Sequence, residues 1–251
     1  MWDALNLPPQ DMALLIAICF AAGVVRGFSG FALSALVMAA GTIILPPVAL
    51  IPICWWLEMA ASVLMLRGGF KDANKPVVFL LAGASAIGVP LGLWATMSIS
   101  LEASKTIALV LVAVLAATQL AKIRLPFLAT KSGTATAGLC AGIVTGLASI
   151  GGMVIALFVL AQNTQAREMR ANLVLFLFLG AVTSLVSYSL SGIMDRDAII
   201  RGLALAVPTL AGVWIGKTFF TPKYEPYYKP FCLTLLIGLA AAGLIRMGVS
   251  R

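Results

Sequence analysis

Charge is absent from long stretches of this chain. None occurs between Asp11 and Arg26, and further charge-free runs cover 27–57, 76–101, 106–121, 132–166, 171–194, 202–216 and 230–245. A helix needs about 20 apolar residues to cross a bilayer. The pattern therefore predicts a helical segment in the first run, then spans over Pro47–Leu66 after the Pro46-Pro47 break, near Pro76–Thr96 and near Lys105–Leu120. A polar link from Lys122 to Lys131 follows. A membrane barrel would show short alternating strands, and these runs are long and continuously apolar.

The first run is too long for one span. Residues 12–45 as a single helix would measure about 50 Å, against a hydrocarbon core of about 30 Å. Within it lies Gly23-Val-Val-Arg26-Gly27-Phe28-Ser29-Gly30-Phe31. Each glycine weakens a helix by about 1 kcal/mol relative to alanine, so two half-helices meeting at a break are expected. Backbone groups freed by a break survive in a membrane only where protein or a cavity satisfies them. Breaks with a charge beside them point to the binding site of a transporter.

After the polar link the pattern restarts. Gly23-Val-Val-Arg26-Gly27 is echoed by Gly142-Ile-Val-Thr-Gly146, Ser29-Gly30-Phe31 by Ser149-Ile-Gly151-Gly152, and Gly92-Leu-Trp94 by Gly212-Val-Trp214. The same order and similar spacing predict an internal duplication, with a first membrane repeat over 1–125, a second over 126–251, and four segments in each. Whether each break continues across the membrane or folds back stays open. Folding back gives three crossings per half and inverted repeats. Apart from Arg26, the cations then divide eleven against five between the two sides, and crossing gives ten against six. The positive-inside rule favours the first arrangement, with both termini outside.

Composition agrees with an all-α integral membrane protein. Mean hydropathy is +1.06, and 10% of residues are charged, where a soluble domain has about 25%. The net charge of +8 is spread among short loops, which reads as membrane orientation and not as a nucleic-acid surface. Cys19, Cys54, Cys140 and Cys232 lie far apart in apolar runs, and histidine is absent. They read as small buried hydrophobes; no metal centre and no cofactor is expected. The aspartates all fall in termini or loops. With no histidine, this leaves no serine–histidine dyad or buried aspartate pair, so the chain does not read as a membrane enzyme. It also lacks the GxxxxGK[ST] loop of an ATP-hydrolysing protein.

The two glycine-broken segments, Arg26-Gly27-Phe28-Ser29-Gly30-Phe31 and Gly146-Leu-Ala-Ser-Ile-Gly151-Gly152, resemble the TauE/SafE family of sulfite and organosulfonate exporters, also called the toluene-sulfonate uptake permeases. Chain length, segment pattern and the Gly-x-Trp of each half resemble it too. The family's richer glycine run is reduced here to Phe31-Ala32. The resemblance implies a multi-pass protein of the cell inner membrane that moves sulfite, or sulfonates such as sulfoacetate. Its partners would be the bilayer and a small anion, and a homodimer stays open.

Arg26 is the leading candidate ligand, because a guanidinium fork matches an oxyanion; its bland alternative is a structural pair with Glu58. Ser29, Gly30, Phe31, Ser149, Gly151 and Gly152 would open the second half-helices, whose N-termini attract anions. The bland alternative for the glycines is tight helix packing. Arg170 and Asn172 either end a cytoplasmic loop or add donors to the second break. Glu58, the one acid deep in an expected span, is a counter-charge or a proton carrier. Trp55 and Trp56 are belt residues or gate side chains. So poor an inventory of proton carriers favours export down the membrane potential over proton-coupled uptake. An assembly or sensory role is the remaining alternative, and it has no need of Arg26 at a break.

Overall fold

The computed structural model describes residues 7–69, 72–122, 127, 130–162, 166–218 and 225–249. Among them no strand occurs. The helices are α1 (Pro9–Ser29), α2 (Leu33–Gly41), α3 (Pro47–Gly69), α4 (Lys75–Ser98), α5 (Leu101–Leu120), α6 (Lys131–Ala148), α7 (Gly151–Ala161), α8 (Ala166–Leu190), α9 (Arg196–Thr218) and α10 (Glu225–Val249). Local chemistry sets several starts. Prolines open α1, α3 and α4, where a missing N–H costs nothing. Ser100 and Thr130 cap α5 and α6 by accepting from the N–H groups of Ala103 and Gly133.

Among the described residues, six helices are long and apolar enough to cross a membrane: α1, α3 over Pro47–Leu66, α4, α5, α8 over Glu168–Leu190, and α9. Their outward side chains are large and apolar, with Trp94, Trp214, Leu190 and Val207 all exposed, as lipid contact requires. The proposed joint at 125/126 lies outside the described residues.

Both expected breaks are present, but they do not divide their segments into halves. The first separates a helix of 21 residues from one of 9, and the second separates 18 from 11. Gly23 and Gly27 stay helical because they serve packing instead, and the helix stops only at Gly30, whose φ is +80°. Ala32 also has a positive φ, +72°, a value that L residues rarely adopt.

The chain folds back at each break. A Cβ on Gly41, at the end of α2, would lie 3.7 Å from Leu15 Cδ2 and 3.2 Å from Leu50 Cδ2. Had α2 continued the line of α1, Gly41 and Leu15 would stand about 39 Å apart. In the same way a Cβ on Gly151 would lie 3.1 Å from the Ala141 carbonyl carbon. α2 is buried at every position but Ala40, and apolar side chains of α7 join the same core.

Two glycine seams join the halves. Gly23 and Gly27 of α1 press on the backbone of Thr209, Val213 and Lys217 in α9, and Gly212 and Gly216 press back on Val24. Gly88 and Gly92 of α4 meet Ile143 of α6, while Gly138, Gly142 and Gly146 meet Leu81, Ser85 and Val89. Without side chains the backbones touch, which is how helices associate tightly in lipid. The Gly-x-Trp echoes play the same part twice: the glycine faces the seam and the tryptophan faces out. Other contacts also come in counterparts, with α3 on α9 and α8 on α4, α2 on α3 and α7 on α8, α2 on α10 and α7 on α5.

Replacing Gly212 by leucine should lower stability by at least about 1–3 kcal/mol, as overpacking does. Gly83, where an added Cβ would meet nothing within 4 Å, should accept leucine without loss. Thermal unfolding of the purified protein in detergent separates the two.

Candidate functional site

The first break is closed by the protein's own side chains. Gly30 takes a left-handed conformation, and its N–H donates to the Arg26 carbonyl at 2.9 Å. Arg26 is fully buried. Its Nη1 donates to the Gly30 carbonyl, and its Nη2 donates to Ser62 Oγ at 3.1 Å and lies 3.3 Å from Glu58 Oε2. Glu58 Oε1 in turn accepts from the Ser34 hydroxyl at 2.9 Å and the Ser34 N–H at 3.3 Å. One ion pair therefore links α1, the start of α2 and the middle of α3. A buried cation without such a partner would be strongly destabilising.

Arg170 completes the closure from α8. Its Nη2 donates to the Gly27 carbonyl at 2.7 Å, and its stem covers Gly30, where a Cβ would lie 3.2 Å from Arg170 Cγ. Ser29 bonds within the break, its hydroxyl 2.8 Å from the carbonyls of Val25 and Phe31. Phe31 is buried in the core. These contacts satisfy the Gly27 and Gly30 carbonyls at the end of α1, which a helix end leaves unpaired.

The second break begins the same way but is one residue shorter, and its side chains differ. Ser149 is left-handed with φ +57°, and its N–H donates to the Thr145 carbonyl at 2.7 Å. In the register that sets Gly30 against Ser149, Arg26 corresponds to Thr145, Glu58 to Leu177 and Ser62 to Ala181. No guanidinium fills the space here. Thr145 turns its hydroxyl back to the Ala141 carbonyl at 2.7 Å. A cavity of about 40 Å³ remains, lined by Ser149, Gly151 and Gly152 together with Thr145, Ser85 of α4, Trp55 and Glu58 of α3, and Gly180, Ser184 and Tyr188 of α8. A serine held at positive φ beside a cavity is the kind of strain that marks functional sites.

The structure thus brings Ser149, Gly151, Gly152 and Glu58 around one cavity, and groups Arg26, Ser29, Gly30, Phe31 and Arg170 around the other break. Glu58 belongs to both. Asn172 stands apart, its Oδ1 accepting from the Asn74 N–H before α4 at 2.7 Å. Trp55 is buried on the cavity wall with its indole N–H on the Ala181 carbonyl at 2.7 Å, and Trp56 packs over Gly202 of α9. Cys19 and Cys54 are buried as expected, but Cys140 is exposed, because it lies on the outer face of α6; the Cys232 side chain lies outside the described residues. Ser85, Thr145, Ser184 and Tyr188 escaped the sequence reading. Only Thr145 carried a signal, as the residue that replaces Arg26 in the echoed motif.

A bundle of membrane-length helices with outward apolar side chains, and a cavity beside a folded-back helix, defines a helical integral membrane protein. The sequence model of the sulfite exporter TauE/SafE family matches residues 15–243. The chain belongs to that family, and membership makes it a membrane transporter of sulfite or a related sulfur anion. Comparison with curated proteins returns no match, and comparison with solved structures returns none either.

Arg26→Ala should cost about 3–5 kcal/mol, because it leaves the Glu58 carboxylate buried without its partner. Replacing Arg26 and Glu58 together by methionine should recover most of that loss. Melting temperatures of the single and double variants in detergent test the pairing; equal losses in both would contradict it.

Proposed function

We propose that the chain is a secondary exporter of a small inorganic sulfur oxyanion, with sulfite as the leading substrate, and that the cavity at the second break is its binding site. The observation that carries this reading is the position of that cavity at the N-terminus of α7. The first N–H groups of a helix lack intrahelical partners and carry the positive end of its dipole. Gly151 and Gly152 supply them here, and their lack of side chains lets α7 pack closely on Ala141 and Leu177. Ser85, Thr145, Ser149, Ser184 and Tyr188 are among the residues that line the space. Its volume of about 40 Å³ is room for about three water molecules, which suits sulfite better than sulfoacetate.

In this reading Arg26 is not a ligand. It neutralises Glu58 and holds the first break shut, so a single anion site serves both halves. The halves, 1–125 and 126–251, are inverted repeats. The side that carries eleven loop cations is cytoplasmic by the positive-inside rule. The α1–α2 hairpin then enters from outside and the α6–α7 hairpin from the cytoplasm of the cell inner membrane.

Direction follows from charge. A monovalent anion gains about 2.3 kcal/mol per 100 mV on leaving a negative interior. Glu58, the deep acid that could carry a proton inward, is engaged with Arg26 and Ser34, which supports export without a coupling ion. Proton-coupled uptake through Glu58 is the second reading, favoured only by the place of Glu58 on the cavity wall. In liposomes with an imposed potassium-diffusion potential and no proton gradient, sulfite should move toward the positive side. Movement that requires a proton gradient would favour the second reading.

A further inference from the structure

At four glycines among the described residues an added Cβ would meet nothing within 4 Å: Gly83, Gly180, Gly192 and Gly238. Gly83, Gly192 and Gly238 are exposed, whereas Gly180 is half-buried and lines the cavity. Its empty side points inward. Phe176 and Ser184, one turn away in each direction on α8, line the cavity too, and residues four apart share a helix face. The exposed Val182 and Val186 lie about 160° and 120° round the helix from Gly180. The other two glycines of the wall differ. A Cβ on Gly151 would lie 3.1 Å from the Ala141 carbonyl carbon, and one on Gly152 would lie 3.0 Å from Leu177 Cδ2. Those two serve packing, while the missing side chain of Gly180 adds to the open space.

The first half shows what larger side chains do at this place. In the register that sets Gly30 against Ser149, Gly180 corresponds to Ala61 and Ser184 to Met65. Ala61 and Met65 are both buried and belong to the core. The stripe of α3 that carries alanine and methionine is packed, and the stripe of α8 that carries glycine and serine borders a cavity.

We propose that Gly180 is a specificity-determining residue of the anion site: its lack of a side chain makes the room that a compact oxyanion occupies, and so sets the upper size of the anion. This deepens the reading of the cavity as the binding site and rests on it. The space of about 40 Å³ holds about three water molecules, and a methyl group takes the room of about one. Alanine at position 180 therefore trims the site without altering its hydroxyls or the start of α7. A glycine in the middle of a helix weakens it relative to alanine. The seam glycines offset this with close backbone contacts, and Gly180 makes none on its open side.

The test uses the purified full chain in liposomes, with sulfite as the transported anion and selenite, its larger analogue, as competitor. Gly180→Ala should raise the half-saturating concentration of sulfite at least about tenfold, the usual effect of a one-methyl misfit, and Gly180→Val should raise it further. The loss should be greater for selenite than for sulfite. The melting temperature of Gly180→Ala in detergent should hold or rise, because alanine is the better helix former; a packing glycine would lose stability instead. Unchanged sulfite kinetics in both variants would overturn the proposal, and so would weaker sulfite transport that comes with a lower melting temperature in Gly180→Ala. Ser184→Met fills the same cavity from one turn further along α8 and tests the reading of the cavity separately. Should it fail to fold, Ser184→Val, a smaller filler, takes its place. Weaker sulfite transport there, with the Gly180 variants unchanged, overturns the proposal and leaves the reading of the cavity standing. Sulfite transport unchanged by all of these variants, or absent from the folded wild-type protein, overturns both.

Discussion

A helix that stops inside an apolar bundle must find partners for its last carbonyls, and the next helix must find them for its first N–H groups. This constraint shapes both halves of the protein, and the two halves meet it differently. At the first break the partners are side chains: Arg26 on the Gly30 carbonyl, Arg170 on the Gly27 carbonyl, and Ser29 on its neighbours. Arg26 then needs a counter-charge, Glu58, which needs Ser34 and so pins the start of α2. At the second break, threonine and leucine stand where arginine and glutamate stand in the first, and the vacated volume is a cavity. The same fold thus supplies one break closed by side chains and one with a cavity beside it.

The glycine seams bring the helix backbones into direct contact. α1 lies backbone to backbone against α9, and α6 against α4, so each folded-back hairpin is anchored on a helix outside itself. Close approach costs nothing in lost side-chain burial, since lipid offers apolar side chains no worse a home. What the seams fix is the height of each break relative to α3 and α8, the helices whose Glu58, Trp55, Ser184 and Tyr188 face the cavity.

Much of this was legible in the residues. The charge-free runs marked α3, α4 and α5 closely, the glycine clusters marked both turns, and a lone arginine and a lone glutamate in neighbouring apolar segments already suggested a pair. The unequal lengths of the broken helices were not legible, because Gly23 and Gly27 look like breakers and are packing residues; only the partner helix α9 distinguishes the two uses. Nor was the cavity lining. Ser85, Ser184 and Tyr188 are ordinary residues of membrane helices, and their convergence depends on how α4 and α8 cross α3. Asn172 looked like a donor for the second break, two residues from Arg170, yet it turns to the N-terminus of α4. On a helix, residues two apart point to different faces.

The central claim is that the anion binds at the open break and not at the arginine. Selenite, a heavier analogue of sulfite, can locate the site directly by anomalous diffraction from soaked crystals. The account predicts a peak within hydrogen-bond distance of the Gly151 and Gly152 N–H groups, with none beside Arg26. A peak against Arg26 and Gly30, with the Glu58 pair displaced, would contradict it.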